Sequence, residues 1–406
     1  MSKHRNTPEL RFPEFKDEWK NNELGKLLSI ISGHSPSYYS EGSEYPLYKV
    51  NDLNNNSKFQ DYSDLYVEKK HTPLNKKVII FPKRGAAILL NKIRIINTPG
   101  YIDTNLMGLE FNDVNDTEFY YYAILREGLY RIADTSTIPQ INKKHILPYK
   151  IYSPSYIEKN KLGNFFSRLD RQIELEEEKL ELLEQQKKGY MQKIFTQELK
   201  FEDSQLENIK WSYKTLEELN SFFTDGNYGE SYPKSEDMSD KNDGVAFLRG
   251  SNLKKGRITL EDANYISKKK HSELTTGHLF LDDIVIAVRG SLGAVGYVNE
   301  NIVGNNINSQ LAIIRTSSSL LYGKYLLYYL MSNQGKKELL SRVTGTALKQ
   351  LPIKQIKQIK VPVPKLQEQH KIANFLSELD NLIDNQTEKI ELLKERKKGF
   401  LQKMFV

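Results

Sequence analysis

EKLELLEQQKKGYMQKIF (residues 178–195) recurs as EKIELLKERKKGFLQKMF (residues 388–405). The match runs back without a gap to Ser155 and Lys365 at a constant offset of 210, with 19 identities in 41 positions. Average composition gives roughly one chance identity in fifteen, so shared helical bias does not account for it. Both copies read as helix: good helix formers dominate, no proline intervenes, and apolar residues step by three and four. In the first copy the seam is Phe166, Leu169, Ile173, Leu180, Leu183, Tyr190 and Ile194, interrupted at Glu176 and Lys187. In the second it is Leu376, Leu379, Ile383, Ile390, Leu393, Phe400 and Met404, interrupted at Gln386 and Lys397.

One amphipathic helix ordinarily packs on its own domain, but two helices with one seam pattern favour pairing with each other. Connectivity makes that pair antiparallel. Setting polar positions opposite polar ones predicts a register in which residue numbers add to about 573. Glu176 then faces Lys397 and Lys187 faces Gln386. The apolar layers become Leu169 with Met404, Ile173 with Phe400, Leu180 with Leu393, Leu183 with Ile390, Tyr190 with Ile383, and Ile194 with Leu379.

The segments between the helices echo each other more faintly. LYKVNDL (47–53) resembles FLRGSNL (247–253), VIIFPKRG (78–85) resembles IVIAVRG (284–290), and IDTNL (102–106) resembles INSQL (307–311). Trp19 with Leu24 parallels Trp211 with Leu216, and TSTIPQINKKHILPYKIYSP (135–154) parallels TGTALKQLPIKQIKQIKVPVP (344–364). The order is the same in both halves. Short β-rich runs mix with one helical stretch each, EFYYYAILREGLYRIA and GKYLLYYLMSNQGKKELL, which predicts α+β domains. The tyrosine run Tyr120 to Tyr122 falls on an apolar helix face and reads as core.

A chain of 406 residues exceeds what one core usually organises. The absence of cysteine removes disulfides, thiolate metal sites and cysteine nucleophiles. Neither a leader-like start nor a run of ~20 apolar residues occurs, so the expectation is a cytoplasmic protein with no membrane contact. The net charge of +7 matters only if it is localised. Residues 155–200 hold nine basic against nine acidic side chains and residues 365–406 eight against seven, so +6 lies in the intervening segments. A polyanionic partner is expected there.

Taken together, the repeated domain and helix arrangement resembles the specificity subunit of type I restriction-modification systems, across nearly the whole chain. The family's TG-x-x-Q-type segment ahead of a helical region is matched around Thr344, Gly345 and Gln350. The first copy departs from it, with Ser136 where the second has Gly345, while Gln140 is retained. The resemblance implies two target recognition domains (1–154 and 201–364) separated by a long antiparallel two-helix coiled coil made of two conserved helical regions (155–200 and 365–406). It also implies binding to double-stranded DNA and the scaffolding of two adenine methyltransferase subunits and two restriction and translocase subunits. S-adenosylmethionine, ATP and Mg are then expected on those partners and no cofactor on this chain.

What the chain lacks agrees with a non-catalytic role. It has no Asn or Asp followed by Pro-Pro and an aromatic residue, no glycine-rich methyl-donor loop and no GxxxxGK[ST] phosphate cradle. Glu14, Glu18 and Lys20 could be read as a nuclease trio, but nine of the first twenty residues are charged, so such trios arise easily. The seven histidines show no metal-ligand spacing. A stand-alone duplicated DNA-binding protein that recruits no enzyme is the alternative, and a coiled-coil spacer with incidental charge a more distant one.

Candidate DNA contacts are the polar and basic residues beside the matched strands. They are Lys49, Asn51, Lys83 and Arg84 in the first domain, and Arg249, Ser251, Asn252, Arg289 and Ser291 in the second. Arginine reads guanine and asparagine reads adenine with two hydrogen bonds, while lysine and serine more often hold phosphate. Any one of them reads more readily as a solvated loop residue, except Arg84 and Arg289, where RG at matched positions makes the two readings even. Thr135, Thr137, Gln140, Thr344, Thr346, Lys349 and Gln350, where each domain meets a helix, either touch DNA or cap the next segment.

Overall fold

The computed structural model of the chain describes residues 6–55, 57–135, 138–201 and 211–406. It divides into two compact units, Met1–Glu178 with Thr387–Val406, and Lys179–Gln386. Each unit contains one of the echoing segments together with part of both long helices, Tyr156–Phe195 (40 residues) and Leu366–Lys403 (38 residues).

In the first unit a five-stranded sheet has the order Leu28–Ser32, Leu106–Phe111, Ile79–Pro82, Arg94–Ile96, Phe59–Gln60. Its central strand is buried throughout because both faces are covered. Ile79 and Phe81 point into a core with the helix Thr117–Glu127, whereas Val78 and Ile80 join Tyr48, Leu53 and Ile102 on the other side. Burying each such side chain stabilises the unit by about 1.5–3 kcal/mol. A three-stranded sheet, Tyr66–Val67, Glu41–Tyr48 and Tyr101–Ile102, lies beyond, and a ribbon pairs Lys20–Glu23 with Lys150–Ser153.

The second unit repeats this plan. Phe222–Asp225, Leu311–Arg315, Ile284–Ala287, Val295–Tyr297, Gly256–Ile258 and Leu253–Lys254 form a six-stranded sheet, and Ser212–Thr215 pairs with Lys360–Val363. Ile284 and Ile286 enter one core, Val285 and Ala287 another, the same alternation as in VIIF. The small sheet is Met238–Ser239, Asn264–Ile266, Val245–Leu248 and Asn306–Ile307. The α+β expectation holds, with differences in the helical stretches. The first ends at Gly128 and continues as a 3-10 turn, Leu129–Ile132. The second breaks at Ser332 into Gly323–Met331 and Asn333–Ser341, because the Ser332 hydroxyl caps the new helix at Gly335 N–H, 3.1 Å away.

The duplicated tryptophans anchor the long helices alike. Trp19 Nε1 donates to Glu158 at 3.4 Å, and Trp211 Nε1 to Glu368 at 3.2 Å. Glu158 also accepts a bidentate pair from Arg11, both at 2.7 Å, which raises the Arg11 pKa through the hydrogen bond to that carboxylate.

The long helices run antiparallel within each unit, but not in the predicted register. In the first unit Lys389 pairs with Glu176 at 2.5 Å, Lys397 with Asp170, and the rings of Phe165 and Phe400 are 5.3 Å apart. In the second, Lys187 pairs with Asp380 at 2.5 Å and Tyr190 packs on Phe375 at 5.1 Å. These pairs add to about 566 instead of 573, a slide of one heptad. Lys397 therefore does not face Glu176, nor Lys187 Gln386. The reason is chemical. Asp170 and Asp380, themselves 210 apart, each hold a lysine from the other helix and accept from a buried tyrosine: Tyr122 at 2.5 Å and Tyr328 at 2.7 Å. Burial first, and then the neighbouring aspartate, push both tyrosine hydroxyls well above their ordinary pKa.

Of the remaining seam residues, Ile173, Gln386, Ile390 and Leu393 are buried, Leu169, Leu180, Leu183, Ile383 and Phe400 half-buried, and Tyr190 exposed. Met404 lies in the first unit's core, while Ile194 and Leu379 lie in one core cluster of the second. Among the described residues no helix is long and apolar enough to cross a membrane.

Candidate nucleic-acid interface

Each unit gathers its candidate loops at the ends of the matched strands through backbone hydrogen bonds. In the first unit the loop 103–105 is the stitch: Asp103 N–H donates to Tyr48 O (3.0 Å), and Asn105 O accepts from Lys83 N–H (2.8 Å). The Lys83–Gly85 turn is held in turn by residues 139–141, with Gly85 N–H donating to Pro139 O (2.8 Å) and Ile141 N–H to Lys83 O (2.9 Å). Arg84 bridges Gln140, whose backbone exchanges two 2.9 Å bonds with Asp134. Lys49, Lys83, Arg84 and Gln140 thus belong to one loop cluster, with Arg84, Asn51 and Thr135 exposed. Thr137 and Ser136 lie outside the described residues.

The second unit is stitched in the same way. Asn308 N–H donates to Leu248 O (2.8 Å), Val288 N–H to Gln310 O (2.8 Å) and Leu351 N–H to Val288 O (3.0 Å). Thr344 and Gln350 exchange backbone bonds of 2.9 and 3.0 Å, as Asp134 and Gln140 do. Arg289 is exposed, its guanidinium 5.5 Å from the Tyr228 ring, and with Gln350 it lines a cleft floored by Val288 and Ala312. Ser251, Ser291, Thr344, Thr346 and Lys349 are exposed nearby in sequence. Arg249 is half-buried, its guanidinium donating to Asp262 O at 3.0 Å.

Asn252 is not available to read a base. It is 1% exposed, its Oδ1 accepts from Arg249 N–H at 3.0 Å, and its Nδ2 donates to Thr259 O and Glu261 O. Asp52 does the matching work for Lys49 N–H at 2.8 Å. Both side chains close a short 3-10 turn.

Sequence reading misses a third loop in each cluster. Gly33 and Gly226 follow matched strands and pass so close to the carbonyls of Asp103 and Asn308 that a methyl group at either position would overlap them. The signal is a glycine just after each strand, in ISGH and TDGN. Tyr228, which meets Arg289, stands two residues beyond Gly226.

The duplicated fold and its paired loop clusters agree with what comparison shows. The chain belongs to the family of the type I restriction modification DNA specificity domain, whose profile matches twice, at residues 16–185 and 208–395. In type I restriction-modification that family is the non-catalytic component that supplies DNA specificity. The chain is similar to the type I restriction enzyme MjaVIII specificity subunit of Methanocaldococcus jannaschii, 25% identical over 97% of this chain and 92% of that one. It is also similar to the EcoBI specificity subunit of Escherichia coli, 23% identical over 69% and 62% of the two chains. In fold it resembles the S subunit of a type I restriction-modification system from M. genitalium, with a TM-score of 0.60 and 18% identity, covering 98% and 99% of the chains.

Proposed function

We propose that each unit reads one half of a bipartite DNA site through its stitched loop cluster. We further propose that the two helical regions set the spacer between the half-sites. The observation that carries this reading is the repeated placement of an exposed arginine beside a glutamine, Arg84 with Gln140 and Arg289 with Gln350, at the ends of matched strands. An exposed guanidinium held on a rigid turn is suited to the two acceptors of guanine in the major groove. The finer assembly also belongs to the proposal: two adenine methyltransferase subunits and two restriction and translocase subunits, carrying S-adenosylmethionine, ATP and Mg, at work on cytoplasmic DNA. A two-fold repeated surface suits two copies of one partner.

The test is Arg289→Ala, purified with its methyltransferase partner and mapped for methylation over a library of paired half-sites. Loss of one bidentate contact costs about 1–3 kcal/mol. The expected result is relaxed preference at one position of one half-site, with the other half-site unchanged. Equal losses at both half-sites, or no loss at either, would contradict the assignment.

A further inference from the structure

A second short repeat lies outside the loops described so far. KKHTPL (69–74) recurs as KKHSEL (269–274), giving Lys-Lys-His and a leucine the same spacing in both units. In the first unit Leu74 and Gly100 exchange backbone bonds of 2.8 and 3.2 Å. The Tyr101 hydroxyl fixes the backbone of the basic segment, accepting from Lys70 N–H (3.2 Å) and donating to His71 O (2.5 Å). The His71 ring lies 4.7 Å from that of Tyr101 and 5.5 Å from that of His34, the residue after Gly33. In the second unit Leu274 is buried, His271 packs on His278 at 4.5 Å, and His278 bridges Asn306.

The anchoring strands correspond. Tyr101–Ile102 pairs in parallel with the strand ending at Tyr48, and Asn306–Ile307 with the strand ending at Leu248. Both run directly into the stitching loops at Asp103 and Asn308. The basic segment is therefore fastened to the strand that feeds each loop cluster. Lys69 and Lys70 are exposed in the first unit; in the second, Lys270 is half-buried in an ion pair with Asp237 at 3.3 Å, and the exposed lysines are Lys269 and its neighbour Lys268, which precedes the repeat. Among the described residues none of the four exposed lysines is in an ion pair. Lys70 Nζ lies 5.2 Å over the exposed Tyr38 ring.

Resting on the reading of the units as DNA readers, we propose that the exposed lysines of these two basic segments, Lys69 and Lys70 in one unit and Lys268 and Lys269 in the other, grip the phosphate backbone of double-stranded DNA beside each half-site. The loops that read bases differ between the units, as two different half-sites require. A basic segment kept at one place in both units matches what any two half-sites share, the phosphate chain. Lysine suits this role because its ammonium is a point charge with no directional demand on a base edge.

The full-length chain would be titrated with a random-sequence duplex by fluorescence anisotropy between about 50 and 200 mM salt, where phosphate contacts dominate the salt dependence. Wild type would be compared with Lys69→Gln/Lys70→Gln and with the quadruple variant that adds Lys268→Gln/Lys269→Gln. Each phosphate contact contributes about 0.9 to the slope of log affinity against log salt. The expected result is a slope smaller by roughly 1.8 for the double and 3.6 for the quadruple variant. Melting should be unchanged, and so should the half-site sequences enriched from a duplex library. An undiminished slope in the quadruple variant overturns the grip, and altered half-site sequences would mean that the segments read bases instead. Absence of duplex binding by wild type would overturn the DNA-reading assignment along with this one.

Discussion

Replacing Lys397 by methionine is expected to destabilise the first unit by about 2–3 kcal/mol. Breaking a fully buried ion pair costs about 3–5 kcal/mol, because the remaining charge keeps its desolvation penalty and loses its partner. Lys397 and Asp170 are 21% and 11% exposed, so solvent screening reduces that figure. Methionine keeps the apolar stem, which separates loss of charge from loss of packing. Asp170→Asn added to Lys397→Met is expected to recover most of the loss, since Tyr122 can still donate to the amide oxygen. The chain's two tryptophans fall one to a unit, so urea unfolding of Trp211→Phe variants reports the first unit through Trp19, which packs edge-on against Phe119 and Phe405. Lys187→Met should act in the same way on the second unit through Asp380 and Tyr328. Unchanged midpoints, or a double variant no more stable than the single, would show that the duplicated Tyr-Asp-Lys network contributes little.

Adding one heptad to each long helix is expected to change the preferred spacer and leave the half-site bases alone. The insertions belong between Glu178 and Lys179 and between Gln386 and Thr387, where one compact unit gives way to the other, so the helix pairs inside each unit stay as they are. Seven residues add ~10.5 Å at 1.5 Å per residue, or about three base pairs at ~3.4 Å each. Three base pairs also turn the second half-site by roughly 100° at ~10.5 base pairs per turn. The expected outcome is a longer preferred spacer with weakened binding. Methylation mapping over half-sites at varied separations, using the extended chain with its methyltransferase partner, provides the measurement. An unchanged spacer at full affinity would show that the helices are not the ruler, and altered bases that they contribute to reading.

The repeat makes the architecture legible from the order of residues alone. A 41-residue match at one offset sets the order of domain and helix, and VIIF and IVIAV correctly mark the central strands because runs buried on both faces are apolar at every position. Register is not legible, because a heptad seam looks the same after a slide of seven residues. Matching the polar interruptions to one another selects the wrong alternative. The two lysines among them, Lys397 and Lys187, pair instead with Asp170 and Asp380, which lie off the apolar seam and draw tyrosines from more than forty residues away. At the loops, KVND and RGSN mark the turns correctly, but the fourth residue of each is spent on the backbone N–H of the first. That three-residue spacing is a local capping pattern, and it is enough to remove Asn252 from the base readers. The stitching by residues 103–105 and 308–310 depends on pairings between distant strands, which no local pattern encodes.

Phe405 touches Trp19, Phe119 and Phe166, and with Met404 it is part of the first unit's core. The second unit draws on nothing beyond Gln386. On the ribosome the usual sequence of events is therefore inverted. The later-made unit has all its residues first, while the amino-terminal one must wait, with an incomplete interior, for residues 387–406 to emerge. Chains interrupted before Phe405 leave Trp19 and its neighbours without their lid, and quality control in the cell would meet the defect in the unit made first.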